Sequence, residues 1–574
     1  MLFHIVLLEN GQATISPFPE IETWYYKCDL CHTSPGIPLG ILQDLLKQVN
    51  FDIQQIKSQK DKWKILVLER LKMLLGSEIH SFKWNSLNFH SVNPAYSANE
   101  RINQDLKVNS LWVRLEGRLV AEEEFLRLAS ELKLEREDTL RLAHQIVLKG
   151  SAAWTPAVSK NGKRWYCERC GKTDLKEWPS LYGLTATCQY CTALGAMNSN
   201  KVLFKITDPM THSGTSDIDS LRNMVFSPHW ELTEAQQQAS KQLLTFVQSK
   251  DRKEVLVWAA CGAGKTEICF PAIAWALRER KKVLFAAPRQ DVVHDVVPRL
   301  ERDFPGIRAT VLTGISQERF GPGQIVLATT HQILRFKNFF DLVILDEIDA
   351  YPYNGNEVLE QGLKNALREN GKLIYLTATP SQVMLKNFGP QSQNIIRLPA
   401  RHHKKPVPIP IWKKMTCNPN NVPAELQKLI QELVEKGPVL VFVPKISWVQ
   451  IIVNKLNHLF QGLKIGGSYS SDPDRANKVR KLKNGYYQLF VTTSILERSI
   501  TIPNVQVIVF AADHPVFDNR SLIQMAGRVG RTSDFPEGEA IYLAQGATSE
   551  IKLAINLIQE QNEIALSLKL LDSD

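Results

Sequence analysis

The chain is 574 residues long, too long for a single hydrophobic core, and length alone suggests roughly three to four domains. Its 44% hydrophobic and 22% charged residues are ordinary for a soluble globular protein rather than a membrane-embedded one. A formal net charge of +10 favours a polyanionic partner without requiring one.

The N-terminal MLFHIVLLENGQATI carries an apolar run. It has no basic region before that run and no small-residue cleavage site, so it reads as an edge or core strand and not as a signal peptide. The longest apolar stretch, VLVWAACGAGKTEICFPAIAWAL, is broken by Lys265 and Glu267 and does not read as a membrane span. A cytoplasmic protein is expected, its nine cysteines reduced or metal-bound rather than disulfide-paired.

Residues 1–150 are expected to be mostly helical: LKVNSLWVRLEGRL and FLRLASELKLEREDTLRLAHQIVL repeat apolar residues at three- and four-residue spacings. No catalytic constellation stands out there. CDLCH, residues 28–32, matches the C-x-x-C-H form of haem attachment, but that chemistry calls for export. A thioredoxin-like pair would need a surrounding βαβ unit. Reduced thiols in a loop are the favoured reading of Cys28, Cys31 and His32, with a second metal site, completed elsewhere, as the alternative.

Residues 151–200 hold two Cys-x-x-Cys knuckles, Cys167 with Cys170 and Cys188 with Cys191, separated by 17 residues. Four thiolates at that spacing fit a structural zinc site with no open coordination position; unmetallated cysteines in a loop are the competing reading. Lys160, Lys163, Arg164, Trp165, Arg169 and Lys172 surround them. Cationic and aromatic side chains together suit a single nucleic-acid strand, one for the backbone and the other for the bases. A polar connector, residues 201–229, follows around DPMTHSGTSDIDS.

From Trp230 onwards short apolar runs alternate with helical segments: VLVW, VLFAA, IVLATT, LVILD and LIYLT over 230–398, then VLVFVP, LFVTT, VQVIVF and AIYLA over 416–574. Unbroken runs of this length suit strands buried on both faces, so two α/β domains with parallel sheets are expected in series. The Pro-rich stretch LPARHHKKPVPIPIW lies at their junction, with the hinge at 399–415, where Arg401 to Lys405 read as a solvated linker.

Directly after the first of these strands comes AACGAGKTE, residues 259–267. Gly262, Ala263 and Gly264 form a tight turn that aims backbone N–H groups at phosphate oxygens, Lys265 supplies a point charge, and Thr266 offers a hydroxyl to Mg2+ where a helix begins. Ala259 stands in place of the usual first glycine, and Pro271 is expected to kink the helix. LVILDEIDA ends a strand in Asp346, suited to the magnesium shell, and Glu347, placed to orient attacking water. Asp349 reads equally as a surface carboxylate or a direct participant, and Tyr351, Pro352 and Tyr353 as packing residues. QMAGRVGR, residues 524–531, places Gln524, Arg528 and Arg531 near the last strand of the second domain. An arginine reaching a transferring phosphate from outside its cradle contributes about 10³- to 10⁵-fold in rate. Cys261 and Cys269 read as packing residues, and Cys417 as incidental.

In this order the motifs resemble the superfamily 2 helicases and translocases. LTEAQ resembles the adenine-reading segment, with Gln236 as reader. APRQDVV with Pro288 and Arg289, TG with Thr313 and Gly314, and TTHQ with Thr330 resemble nucleic-acid-contacting motifs of the first domain. TATP, with Thr377 and Thr379, resembles the motif that couples nucleotide state to domain closure; VFVP and TTSILERSITIPNV, with Thr493, resemble motifs of the second domain. DEIDAYPY, ILERSIT, ADHPVFDNRSLIQMAGRVGR and a four-cysteine module ahead of the motor are closer still to the ComFA family, DNA-uptake helicases of competent Gram-positive bacteria. In PriA-type helicases the zinc cysteines interrupt the motor, and DEAD-box helicases generally carry a SAT motif instead.

The resemblance implies two RecA-like domains in tandem, using ATP, Mg2+ and a structural Zn2+ to move single-stranded DNA during competence. It also implies partners among the competence proteins at the inner face of the cytoplasmic membrane, and leaves homo-oligomerisation open. Two other readings remain at this stage: a PriA-like replication-restart or repair helicase that unwinds duplex DNA, and a zinc-dependent DNA-binding adaptor with a vestigial ATPase.

Overall fold

The structure, a computed structural model, describes residues 1–8, 13–26, 28, 30–48, 64–69, 83–88, 98–162, 164–208, 226–389, 393–497 and 501–572. Among these, no helix is long and apolar enough to cross a membrane.

The N-terminal run forms the strand His4–Leu8, internal to a four-stranded antiparallel sheet with Ala13–Ser16, Leu30–Thr33 and Asn85–Asn88. Among the described residues of this region the helices include Pro19–Tyr25, Leu39–Gln48, Ala98–Leu115, Glu124–Leu132 and Arg136–Leu148, the last three covering the segments whose periodicity predicts helix. CDLCH is a loop only in part: Cys28 lies outside any helix or strand, whereas Cys31 and His32 lie on the strand Leu30–Thr33. Cys31 is buried against Val6 and Leu8, with Cys28 and Tyr26 beside it. Burial, with the charge of Glu20 adding to it, pushes the Cys31 thiol up to about 11, so the reactive thiolate is disfavoured.

A small antiparallel sheet links this region to the cysteine module. Its strands are Val120–Ala121, Val202–Ile206 and Ala152–Pro156, with Val202–Ile206 in the middle. The cysteine module is the excursion between the last two. It contains the hairpin Val158–Asn161 with Arg164–Cys167, and a three-stranded sheet of Lys176–Ser180, Gly183–Cys188 and Met197–Asn198.

The first large sheet is parallel and seven-stranded, ordered Ala309–Leu312, Ile325–Thr329, Val283–Ala287, Phe340–Leu345, Leu367–Thr377, Glu254–Ala259 and Ile395–Leu398. The second is parallel and six-stranded, ordered Ile411–Lys414, Ala540–Ala544, Gln506–Phe510, Val439–Phe442, Leu489–Thr492 and Ile465–Ser468. These are the two RecA-like lobes. All nine strands expected from apolar runs are present: VLFAA and AIYLA with the expected bounds, the other seven shifted by a residue or a few at one or both ends. The Pro-rich stretch ends inside the second sheet, because Ile411–Lys414 is that sheet's edge strand.

Candidate active site

The strand Glu254–Ala259 delivers the chain into the loop 260–266. Gly262 and Gly264 have φ values of +82° and +80°, a region that favours glycine. A Cβ on Gly264 would also fall 2.4 Å from the side-chain nitrogen of Gln236. That nitrogen donates to the Ala263 carbonyl at 2.9 Å, while Gln236 Oε1 accepts from the Thr233 N–H at 2.9 Å. Thr233 and Gln236 thus form a capping box at the start of the helix Glu234–Gln248, and both ends of the Gln236 amide are engaged. The residue expected to read adenine is, in this geometry, a brace for the phosphate loop.

The helix expected at Thr266 begins later. A 3₁₀ turn, Glu267–Cys269, comes first and the α-helix runs Phe270–Arg278. Pro271 lies in the first two helical positions, where its missing N–H would have no intrahelical partner, so it opens the helix instead of kinking it.

Lys265 Nζ lies 3.3 Å from Asp346 Oδ1. Burial pulls the Lys265 ammonium down, but Asp346, Glu347 and Asp349 outweigh it, and the net shift is upward. The lysine is therefore a firmly held cation at neutral pH. Asp346 follows the strand Phe340–Leu345, and its Oδ1 accepts from the Glu347 N–H at 2.8 Å. Glu347 has φ +53°, an uncommon conformation for a non-glycine residue and one that turns it away from the strand direction. Asp349 is neither a lone surface carboxylate nor in the cavity: its two oxygens accept from Thr377 and Thr379, each at 2.7 Å. The end of one strand is thereby fastened to the carboxylate loop that follows its neighbour. Of the adjacent residues Tyr353 packs as expected, but Tyr351 is 84% exposed.

One cavity of about 150 Å³ gathers these groups. Gly262, Ala263, Gly264, Lys265, Thr266, Asp346 and Glu347 line it from the first lobe, and Gln524, Arg528 and Arg531 from the second. Cations around a pair of carboxylates, with a hydroxyl and loop N–H groups, fit a triphosphate and a hard divalent ion such as Mg2+. Arg528 is buried, and its Nε and Nη2 donate to the Glu497 carbonyl at 3.0 and 2.7 Å. Burial pushes the Arg528 and Arg531 guanidiniums down, and for Arg528 the charge of Arg531 adds to this; an anion would relieve both. The Glu497 carboxylate accepts from Arg289 at 3.0 Å across the cleft, and Arg475 of the second lobe meets Asp291 of the first at 2.6 Å.

The stretch read as a solvated linker is not one at its start. Arg401 is only 2% exposed. It donates to the phosphate-loop carbonyl of Cys261 at 2.9 Å, and to the Gly527, Val529 and Gly530 carbonyls at 3.2, 2.7 and 2.5 Å. A planar guanidinium with five donors suits such a carbonyl cage better than water exposure would. Sequence pattern puts Arg401 in a basic linker run and Glu497 inside TTSILERSITIPNV, and assigns neither a place at the site.

Other expected contact residues are less open than their motifs suggest. Pro288, Thr313, Thr330, Thr377 and Thr379 are buried, whereas Gly314 is exposed and Arg289 and Thr493 are half-buried. Thr313 Oγ1 lies 3.3 Å from His294 Nε2 and 3.1 Å from Ser316 Oγ. Within TTSILERSITIPNV, residues 498–500 lie outside the described residues.

The four module cysteines are all buried, with their sulfurs within 4.8 Å of one another. Sulfur separations of 3.7 Å for Cys167–Cys191, 3.5 Å for Cys170–Cys188 and 3.6 Å for Cys188–Cys191 match a thiolate tetrahedron, whose edges are about 3.8 Å when metal–sulfur bonds are about 2.3 Å. The set fits zinc. Two of the surrounding cations are already engaged: Arg169 is buried and donates to Leu194 and Gly195 carbonyls, and Lys172 pairs with Glu357 of the first lobe at 2.7 Å. Lys160 lies over the Trp165 ring, 5.0 Å from its centre, and Arg164 is exposed. Lys163 lies outside the described residues.

Residues 229–382 match the family described as type III restriction enzyme, res subunit, and residues 422–533 match the helicase conserved C-terminal domain. Competence protein ComFA of Bacillus subtilis strain 168 is 33% identical over 429 residues, which cover 72% of this chain and 89% of that protein. This chain belongs to the ComFA family. The Streptococcus pneumoniae ComFA is 34% identical over 417 residues, 71% of this chain and 93% of its own length. Among solved structures, S. cerevisiae Dbp5 bound to RNA and ADP BeF3 aligns with 60% of this chain and 95% of its own, at 17% identity and a TM-score of 0.44. As a ComFA-family member the chain is a superfamily 2 enzyme that hydrolyses ATP, a DNA helicase or translocase of competence.

Proposed function

We propose that this chain is an ATP-driven translocase of single-stranded DNA that draws transforming DNA across the cytoplasmic membrane. It works at the inner membrane face with other competence proteins. The observation that carries this reading is the shared cavity, in which Lys265, Thr266, Asp346 and Glu347 from one lobe face Arg528 and Arg531 from the other.

The phosphate loop and Lys265 hold the triphosphate, Thr266 and Asp346 hold Mg2+, and Glu347 orients the attacking water. Gln524, Arg528 and Arg531 complete the site from the second lobe, the arginines steadying charge on the transferring phosphoryl group. Mg2+ supplies charge neutralisation at the phosphate oxygens. Because both lobes contribute, hydrolysis and product release alternately favour a closed and an open cleft, and a strand lying across both lobes is pulled as they move. Asp349, Thr377 and Thr379 carry that change through the first lobe, and Arg289, Gly314 and Thr493 face the strand. The zinc-bound cysteine module grips DNA through Lys160, Arg164 and Trp165, the Arg169 side chain being buried and Lys172 paired with Glu357 at the surface.

The test is ATP hydrolysis by the purified chain without nucleic acid and then with single-stranded DNA, duplex DNA or RNA. Stimulation by single-stranded DNA above the other two supports a strand-pulling motor. Equal or greater stimulation by duplex or RNA overturns the single-strand assignment, leaving the ATPase intact. For the module, Cys167→Ala that loses zinc but keeps DNA affinity and DNA-stimulated turnover removes the gripping role.

A further inference from the structure

We propose that Arg401 is a positioning residue for ATP hydrolysis, fixing the phosphate loop of the first lobe to the arginine segment of the second. The inference rests on the proposed role of Arg528 and Arg531.

Arg401 comes three residues after the strand Ile395–Leu398 and belongs to the connector, not to either half of the nucleotide cavity. Its guanidinium nevertheless reaches both halves. Nε donates to the Cys261 carbonyl at the start of the phosphate loop, while the two terminal nitrogens donate to Gly527, Val529 and Gly530, which flank Arg528 and precede Arg531. The Gly527 carbonyl also accepts from Arg531 Nε at 2.9 Å. A single carbonyl therefore joins the connector arginine to an arginine of the cavity. The path from loop to arginine runs Cys261, Arg401, Gly527, Arg531, with a hydrogen bond at each step.

Packing holds the same relationship. A Cβ on Gly527 would lie 2.5 Å from Cys261 Cβ, so the two segments touch where Arg401 bridges them. Gly530 has φ +63°, and a Cβ there would lie 2.2 Å from the Pro536 carbonyl oxygen. The turn carrying the acceptors thus has little freedom. His403 adds a contact to the Gly530 carbonyl at 2.9 Å. A buried cation surrounded by carbonyls is a costly element for stability alone, since an apolar side chain could fill the volume without its desolvation penalty. What the guanidinium supplies is direction: four acceptors on two lobes are fixed relative to one plane.

The experiment uses the full chain with Arg401→Ala, Arg401→Lys, Arg531→Ala and the double variant Arg401→Ala/Arg531→Ala. It measures kcat and KM for ATP, equilibrium binding of a non-hydrolysable ATP analogue, and thermal melting. The expected result for Arg401→Ala is a kcat lowered about 10²-fold, the loss typical of an ångström-scale misplacement, with analogue affinity within about threefold of the parent. Arg401→Lys retains charge but cannot span both lobes, and so recovers only part of the rate. In the Arg531→Ala background, removing Arg401 costs little more, because one acts through the other. Folded Arg401→Ala or Arg401→Lys with parental kcat overturns the inference. So does a multiplicative loss in the double variant, or a rate loss matched by an equal loss of analogue affinity. Should Arg401→Ala not fold, Arg401→Lys decides. Parental turnover in Arg531→Ala itself overturns instead the arginine role on which this inference rests.

Discussion

Arg289 of the first lobe and Glu497 of the second meet at 3.0 Å across the cleft, and the carbonyl of the same Glu497 holds Arg528. A residue expected to face DNA is thus two steps from a residue expected to face ATP. A DNA phosphate reaching Arg289 would compete with the Glu497 carboxylate, and strand binding would then be felt at the backbone that orients Arg528. Glu497→Gln is expected to lower the ratio of DNA-stimulated to basal hydrolysis by about fivefold or more, the lower end of ordinary coupling energies. Steady-state kcat with and without single-stranded DNA measures it, and an unchanged ratio removes Glu497 from the path.

Lys265 and Asp346 form an ion pair that lines the cavity, and Glu347 lines the same cavity. Glu347, proposed to orient the attacking water, and Lys265, proposed to hold the triphosphate, are expected to separate in their effects. Glu347→Gln should lower kcat by about 10²- to 10⁴-fold, the range for a positioned acid or base, while nucleotide affinity stays near parental. Lys265→Ala should weaken nucleotide binding and hydrolysis together. Single-turnover hydrolysis alongside analogue binding distinguishes them, and Glu347→Gln with normal turnover sinks its assignment.

The cysteine module is the excursion between the adjacent strands Ala152–Pro156 and Val202–Ile206, and its four cysteines, with Ala186 and Met197, share a buried apolar cluster with the first lobe. Zinc binding energies of ~10–16 kcal/mol are large compared with the small core of such a segment. One zinc per chain is expected by elemental analysis. Chelation or Cys188→Ser should lower the melting temperature and loosen the Lys172–Glu357 contact, leaving basal ATPase of the folded protein within about twofold because no described module residue lines the nucleotide cavity. Retention of the full melting profile without zinc would show that the sulfurs need no metal.

What could be read in the sequence divides along a physical line. The nine strands expected from their apolar runs are interior to the two sheets, where burial on both faces leaves a continuous apolar signal. The four strands with no such signal, Ala309–Leu312, Ile395–Leu398, Ile411–Lys414 and Ile465–Ser468, are the four edges. Ile411–Lys414 is exposed throughout, and its two lysines guard an otherwise unpaired edge. The phosphate loop, carboxylate pair and arginines were legible because each motif is local. Arg401 was not, since its acceptors lie at Cys261 and at Gly527 to Gly530, more than a hundred residues away on either side. Cys31 failed for a related reason: its partners Val6 and Leu8 are brought to it by strand pairing.

The last prediction concerns the segment that leads into the first lobe. Asp303, at the end of the helix Gln290–Asp303, has a fully buried carboxylate. It accepts from Trp230 Nε1 at 2.5 Å, His229 Nδ1 at 3.2 Å and Arg302 Nε at 2.8 Å. Trp230 packs on Phe270, and the helix that begins at Glu234 carries Gln236 to the phosphate loop. Burial alone would raise the Asp303 pKa, but hydrogen bonds from Arg302, Trp230 and His229 outweigh it and hold the carboxyl below its ordinary 3.8. The folded state therefore binds this proton less readily than the unfolded chain. The resulting stabilisation is present above pH 3.8 and is lost as pH falls through the folded value. Asp303→Asn presents an amide N–H₂ to surrounding donors and should cost about 2–3 kcal/mol at neutral pH, typical of hydrogen bonds to a buried charge. Because the strap positions Gln236, the variant should also bind nucleotide more weakly. Denaturant titrations of parent and variant, repeated from neutral pH downward, should show the gap constant until about pH 3.8 and closing below it. A gap that is absent at neutral pH, or that widens on acidification, contradicts the assignment of Asp303 as the charged anchor of this strap.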